Sequence, residues 1–157
     1  MEKNNILVTG GAGFIGSALC RNIVKNSNAD LIILDKLTYA SNLSSIESLI
    51  TKKNVFFYKE SIGNIKFLNQ IFQKHKPKLI FNLAAETHVD NSILKPSNFI
   101  ETNILDTHNF LHAILQYFKK LQKNEAIFLK LLHISTDEVY GDIDLNQPAV
   151  DEKTAYK

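Results

Sequence analysis

Thr9-Gly10-Gly11-Ala12-Gly13-Phe14-Ile15-Gly16 follows an apolar run at residues 6–9 and opens a stretch of helical periodicity at residues 13–25. The segment satisfies G-x-x-G-x-x-G and, from Gly11, G-x-G-x-x-G. Strand, glycine turn and helix in that order build an anion site. The missing side chains let the backbone approach a pyrophosphate, and the first helical turn directs N–H groups and the positive end of its dipole toward it. A glycine-rich turn without a ligand is the bland alternative. Against it stands Asp35, the last residue of the next apolar run, 19 positions beyond Gly16. An acid about 20 residues downstream is where the hydroxyls of an adenosine ribose are bound. Its charge would repel a 2′-phosphate and so favours NAD over NADP, although Lys36 beside it could attract one.

Outward from the loop, apolar runs at 6–9, 31–35, 55–59, 79–83 and 128–135 are rich in Ile, Leu, Val and Phe without strict alternation. Such runs suit parallel strands buried on both faces. Between them the spacing predicts helices over 13–25, 42–50, 65–74 and 96–122. Ile65, Leu68, Ile71 and Phe72 fall on one face of the third, Asn64 can cap it, and Pro96 can open the fourth. This alternation predicts an α/β fold, a Rossmann-like doubly wound parallel sheet with its ligand at the carboxyl ends of the strands. With no repeat, low-complexity stretch or linker, residues 1–157 are expected to form one domain.

Composition narrows the function. With 45% hydrophobic and 22% charged residues the chain is of ordinary globular type. Eighteen basic against 16 acidic residues give a formal charge of +2, and the lysines are scattered, so nucleic acid is not an expected partner. Cys20, the sole cysteine, cannot form an internal disulfide and is expected in the core of a protein from a reducing compartment. The polar start, Met1-Glu2-Lys3-Asn4-Asn5, leads into an apolar run too short for a signal peptide or a membrane span, so a cytoplasmic location without membrane contact is expected. His108 and His112 lie four apart on the fourth predicted helix, but no H-E-x-x-H and no third ligand accompany them, and no metal is assigned.

Five segments carry a resemblance. The loop is followed by Asp35-Lys36-Leu37-Thr38-Tyr39-Ala40, Leu83-Ala84-Ala85-Glu86-Thr87-His88-Val89-Asp90, Glu101-Thr102-Asn103 and His133-Ile134-Ser135-Thr136-Asp137-Glu138-Val139-Tyr140-Gly141. In order and spacing these resemble the dTDP-glucose 4,6-dehydratase family of extended short-chain dehydrogenases/reductases, over nearly the whole chain. The loop and Asp35 would fit any dinucleotide-binding domain; Thr136-Asp137-Glu138 is the specific part. Family members oxidise a nucleotide sugar at C4 by hydride transfer to tightly held NAD, eliminate water across C5 and C6, and return the hydride to C6. The resemblance implies that Asp137 protonates the leaving C6 hydroxyl, that Glu138 takes the C5 proton and that Thr136 bonds the C4 oxygen of dTDP-glucose. Elimination beside a ketone needs such an acid and base. It also implies cofactor contacts from Gly10, Gly11, Gly13, Phe14, Ile15, Gly16, Asp35, Lys36, Leu37, Thr38, Ser61, Ile62, Leu83, Ala84, Ala85, Glu86, Thr87 and Thr102. Thr87 matches a substrate contact as well. His88, next in the chain, reads as a structural residue.

The sequence also departs from that pattern. Ser61 stands where the family usually has an aspartate reaching the adenine side of the cofactor, while Ile62 matches; Asn82 and Asn91 replace a histidine and an arginine common in close relatives. The family's C4 oxidation uses a Tyr-x-x-x-Lys pair. Tyr39, Tyr58, Tyr117 and Tyr140 are followed four positions later by Leu43, Ile62, Leu121 and Asp144, and the adjacent Tyr156-Lys157 is not such a pair. The expectation is therefore an N-terminal part of such an enzyme, without the C-terminal nucleotide-sugar domain and inactive alone. Full-length relatives are homodimers, and this part is expected to self-associate through uncovered apolar surface. Another extended-family enzyme, an epimerase or decarboxylase, and a non-catalytic dinucleotide-binding remnant remain the alternatives.

Overall fold

A computed structural model describes residues 4–144 and 146–157; Met1, Glu2, Lys3 and Leu145 lie outside the described residues. Five parallel strands, β1 (Ile6–Thr9), β2 (Leu31–Asp35), β3 (Val55–Lys59), β4 (Leu79–Asn82) and β5 (Lys130–His133), form one sheet in the order β3-β2-β1-β4-β5. The reversal of strand order on either side of β1 is the switch point of a doubly wound, Rossmann-like fold. Thr9 is level with Leu34 of β2 and with Asn82 of β4, so the carboxyl ends of the three central strands finish together.

Side chains alternate between two cores, as the twofold period of a strand requires. Leu7, Ile32, Leu34 and Ile80 enter one core with Leu68, Ile71 and Phe72 of α3 (Ile65–His75) and Phe110, Ala113 and Tyr117 of α6 (Thr107–Lys120). Ile6, Val8, Leu31 and Ile33 enter the other with Cys20 and Ile23 of α1 (Phe14–Asn26) and Leu49 of α2 (Glu47–Ile50). Cys20 is fully buried, and burial pushes its thiol up to about 12. Each fully buried Leu or Phe contributes roughly 1.5–3 kcal/mol through its removal from water, so the two faces together hold the sheet between its helices.

Three differences from the predicted elements have local causes. The helix expected over 42–50 divides into a 3-10 turn at Leu43–Ser45 and the short α2. Asn42 Oδ1 accepts both the Ser44 N–H (3.1 Å) and the Ser44 hydroxyl (2.6 Å), a side-chain alternative to helical backbone pairing. The long helix expected over 96–122 has a companion before it, α4 (Val89–Leu94), separated by Lys95. Pro96 excludes the helical conformation at Lys95 (φ −139°, ψ 62°) and then opens α5 (Pro96–Phe99), which runs through a π-helical stretch, Ile100–Asp106, into α6. The fifth strand is shorter than expected because Phe128 and Leu129 complete a turn behind α7 (Lys123–Ala126), donating to the carbonyls of Glu125 and Ala126. All four residues of β5 are exposed, against the expectation of strands covered on both faces. Asn64 caps α3 as expected, its side chain accepting from the Phe67 N–H at 3.1 Å.

Near the amino end of the sheet His75 closes α3, 7% exposed, with Nε2 2.8 Å from the Tyr58 hydroxyl and its ring 4.8 Å from that of Phe56. Burial, and then the neighbouring Lys74 charge, lower its pKa below 6.5. Above pH 6.5 the imidazole is neutral folded or unfolded and its contribution is complete; as pH falls through 6.5 toward the lowered folded value, protonation favours the unfolded chain. Urea unfolding midpoints should therefore fall on going from pH 7.5 to about pH 5, and His75→Gln should flatten that slope. An unchanged slope in the variant would assign the acid sensitivity to other groups.

Candidate functional site

The loop after β1 is held by contacts that tolerate no side chain. Gly10 has φ +67°, and a Cβ there would stand 2.7 Å from the carbonyl group of Leu83 at the end of β4. A Cβ on Gly16, in the first turn of α1, would meet the Gly10 carbonyl oxygen at 2.1 Å. Helix and strand thus approach within backbone contact. No side chain caps α1 at Gly13, so its first-turn N–H groups have no side-chain acceptor. Phe14 and Ile15 at this helix end are 93% and 63% exposed.

Asp35 organises the next element. It is buried, and its carboxylate receives the Ala12 N–H on Oδ2 at 2.8 Å and the Leu37 N–H and Ser41 hydroxyl on Oδ1 at 2.8 and 2.7 Å. One bond ties the glycine loop to β2. The other two fold the chain back after the strand, where Leu37 takes a left-handed φ of 56°. At the end of β3, Ser61 accepts the Gly63 N–H at 3.0 Å and donates to Asp106 Oδ2 at 2.7 Å. At the end of β4, the Asn103 side chain clamps both backbone groups of Glu86, each at 2.8 Å.

A polar chain also crosses the sheet. Thr9 Oγ1 donates to Asn82 Oδ1 at 2.5 Å, and Asn82 Nδ2 lies 2.8 Å from His133 Nδ1, joining β1, β4 and β5. Asn82 is 1% exposed. Because its oxygen is the acceptor for Thr9, its amide donates to His133, which fixes Nδ1 as the acceptor nitrogen. The amide that stands in place of the family's histidine thus carries a bond on each side.

These ends frame two adjoining recesses that share Gly10, Gly13, Ala40 and Leu83–Ala85. The first extends past Asp35, Lys36 and Thr38 to Ser61, Ile62, Glu86 and Thr102. The second runs from Phe14, Ile15 and Gly16 to Thr87, Ser135 and Thr136. Gly11 and Leu37 line neither: Gly11 packs on Ile33 and Cys20 behind the loop, and Leu37 leans on the α1 core. Asp137 and Glu138 stand just past the second recess on an exposed 3-10 turn, Asp137–Tyr140. Thr136 Oγ1 donates to Asp137 Oδ1 at 3.1 Å and accepts the Glu138 N–H at 3.4 Å, which ties the Asp137 carboxylate and the Glu138 backbone to the strand end.

His88 contacts Tyr39, ring centroids 6.3 Å apart. His108 and His112 stack at 6.3 Å, and His112 Nε2 is 2.8 Å from the Gln116 amide. Among the described residues no three metal-binding side chains converge, and no helix is long and apolar enough to cross a membrane. Tyr156 packs on Tyr140, ring centroids 5.6 Å apart. Sequence reasoning left out Ser41, Asn103 and Asp106. Asn103 belongs to the Glu101-Thr102-Asn103 segment, but the partners of Ser41 and Asp106 become visible only once separate strand ends are brought together.

Comparison with known proteins agrees with this geometry. A dTDP-glucose 4,6-dehydratase of Haemophilus influenzae is 42% identical over 97% of this chain, which covers 45% of that protein. The Salmonella typhimurium dTDP-glucose 4,6-dehydratase is 41% identical over 96% of the chain and 44% of its own length. The chain therefore spans less than half the length of these relatives. Among solved structures, DesIV, the dTDP-glucose 4,6-dehydratase of Streptomyces venezuelae crystallised with NAD and TYD bound, superposes with a TM-score of 0.83 at 32% identity, over 98% of this chain and 45% of that one. The Bacillus anthracis dTDP-glucose 4,6-dehydratase in complex with NAD gives 0.81 at 32% identity, over 98% and 44%. The model of the family described as GDP-mannose 4,6 dehydratase matches residues 7–157, so this chain belongs to that family and is homologous to the N-terminal part of the dTDP-glucose 4,6-dehydratases.

Proposed function

We propose that this chain is the NAD-binding part of a dTDP-glucose 4,6-dehydratase. The observation that carries the reading is a pair of adjoining recesses along the carboxyl ends of the strands, sharing the glycine loop, with Asp35 in the first, Thr136 at the far end of the second and Asp137-Glu138 just beyond it. The cleft fits a dinucleotide. The glycine backbone and uncapped helix end suit a pyrophosphate, and of roughly four acceptor positions on the Asp35 carboxylate three are used within the protein, leaving room for a ribose hydroxyl. Thr87 and Thr136 in the second recess are positioned for the sugar and nicotinamide end.

When bound, NAD supplies reversible hydride acceptance. The chain's own residues then divide the elimination: Asp137 delivers a proton to the departing C6 hydroxyl, Glu138 removes the C5 proton, and Thr136 holds the C4 oxygen. A UDP-glucose 4-epimerase of Thermotoga maritima also resembles this fold, with a TM-score of 0.64 at 34% identity. The adjacent carboxylic acids after Thr136 favour the dehydratase, because an epimerase has no water to expel. The 157 residues hold no Tyr-x-x-x-Lys pair to oxidise C4, so no turnover of dTDP-glucose is expected from this chain alone.

Calorimetric titration should show NAD binding, with NADP weaker because Asp35 opposes a second phosphate. Gly13→Trp, shown to be folded by circular dichroism, should abolish it. Equal binding by both proteins would remove the loop from the site.

The acid and base roles are separable once this sequence is joined to the remaining length of a relative. Asp137→Asn should accumulate the 4-keto-glucose nucleotide and reduced cofactor while dehydration slows about 10²–10⁴-fold. Glu138→Gln should suppress incorporation of deuterium at C5 from heavy water. Dehydration at the unmodified rate, or normal C5 exchange, would return the acid pair to a solvated turn.

A further inference from the structure

The end of the cleft beyond Asp35 contains an acid that no family pattern supplied. Asp106 reaches it from 45 residues away, buried and with Oδ2 2.7 Å from the Ser61 hydroxyl. It is the last residue of the π-helical stretch, a rare departure from α-helical bonding that recurs at functional sites. Gly63 makes room for it: a Cβ at that position would lie 1.8 Å from Asp106 Oδ1. The Ser61 hydroxyl is itself oriented by the Gly63 N–H, so its proton points at the carboxylate. Asp106 lines the first recess together with Asp35, Ile62 and Thr102.

A carboxylate presents acceptors only. With the pyrophosphate loop after β1 and the ribose acid at the end of β2, the next strand outward is β3, so the purine of a dinucleotide falls over its end; the donor on the Hoogsteen edge of adenine is the 6-amino group. We propose that Asp106, aimed by Ser61, accepts a hydrogen from the adenine 6-amino group and makes this chain select adenine over a 6-oxo purine. The inference rests on the NAD reading. A purely structural Asp106, tying α6 to the turn after β3, would stabilise the fold without distinguishing one purine from another.

The test is calorimetric titration of the chain with NAD and with nicotinamide hypoxanthine dinucleotide, which carries a carbonyl in place of the amino group. The unmodified chain should prefer NAD about tenfold or more, since the analogue loses a charge-assisted bond and sets acceptor against acceptor. An amide offers both a donor and an acceptor, so Asp106→Asn should weaken NAD and bring the two affinities within about threefold of each other. Ser61→Ala keeps the acid but removes its orienting hydroxyl and should lower the preference in the same direction; it carries the test if circular dichroism shows Asp106→Asn unfolded. A wild-type ratio in the folded variant, or no preference in the unmodified chain, overturns the role of Asp106 while leaving the NAD reading intact. Failure of the folded, unmodified chain to bind either dinucleotide overturns both.

Discussion

Everything at the upper edge of this fold follows from the position of β1, a four-residue strand with no exposed side chain, between β2 and β4 of a parallel sheet. Parallel pairing on both sides brings Thr9, Leu34 and Asn82 to one level, so the turns leaving three strands emerge together. Because the chain must then cross from sheet to helix within backbone distance of β4, glycine is required at Gly10 and Gly16. The composition of the loop is thus imposed by packing from below as well as by whatever binds above. That dual constraint explains why the loop and its strand can be recognised together.

Asp35 transmits that order sideways. Its carboxylate bonds the loop through Ala12 and the following turn through Leu37 and Ser41, so loop and β2 end share one fixed group. Ser61 and Asp106 do the same between β3 and the helix over the cleft, and Asn103 between that helix and the segment after β4. Each tie spans elements distant in sequence. Their combined effect is to hold the segments after four strands, β1 to β4, in place for a long, extended ligand without requiring its presence.

The fold was legible because burial imposes simple patterns. Apolar runs of strand length separated by helical spacing identified all five strands, and Asn64 and Pro96 marked helix starts that the structure retains. What escaped were features decided by competition among local bonds: the Asn42–Ser44 turn, the short helix α4 ahead of Pro96 and the π-helical stretch after α5. Along the recesses Gly10, Gly13, Gly16, Asp35 and the residues after β4 could be placed by position alone. Asp106 could not, because its partner Ser61 lies on another element, and a serine standing where an acid is usual reads as a loss until the incoming carboxylate is seen.

The claim that binds these observations together is that a dinucleotide lies along the carboxyl ends of the strands, from the Ser61–Asp106 pair across the glycine loop to Thr136. Amide chemical shifts of the isotope-labelled chain, followed during titration with NAD, test it most directly. The expected result is concerted, saturable movement of the Gly13, Phe14, Ile15, Lys36, Ile62 and Ala84 amides, with those of Lys76 and Lys78 at the opposite end of the sheet unmoved. Saturating shifts centred on Lys76 and Lys78, with the loop amides unmoved, would contradict it.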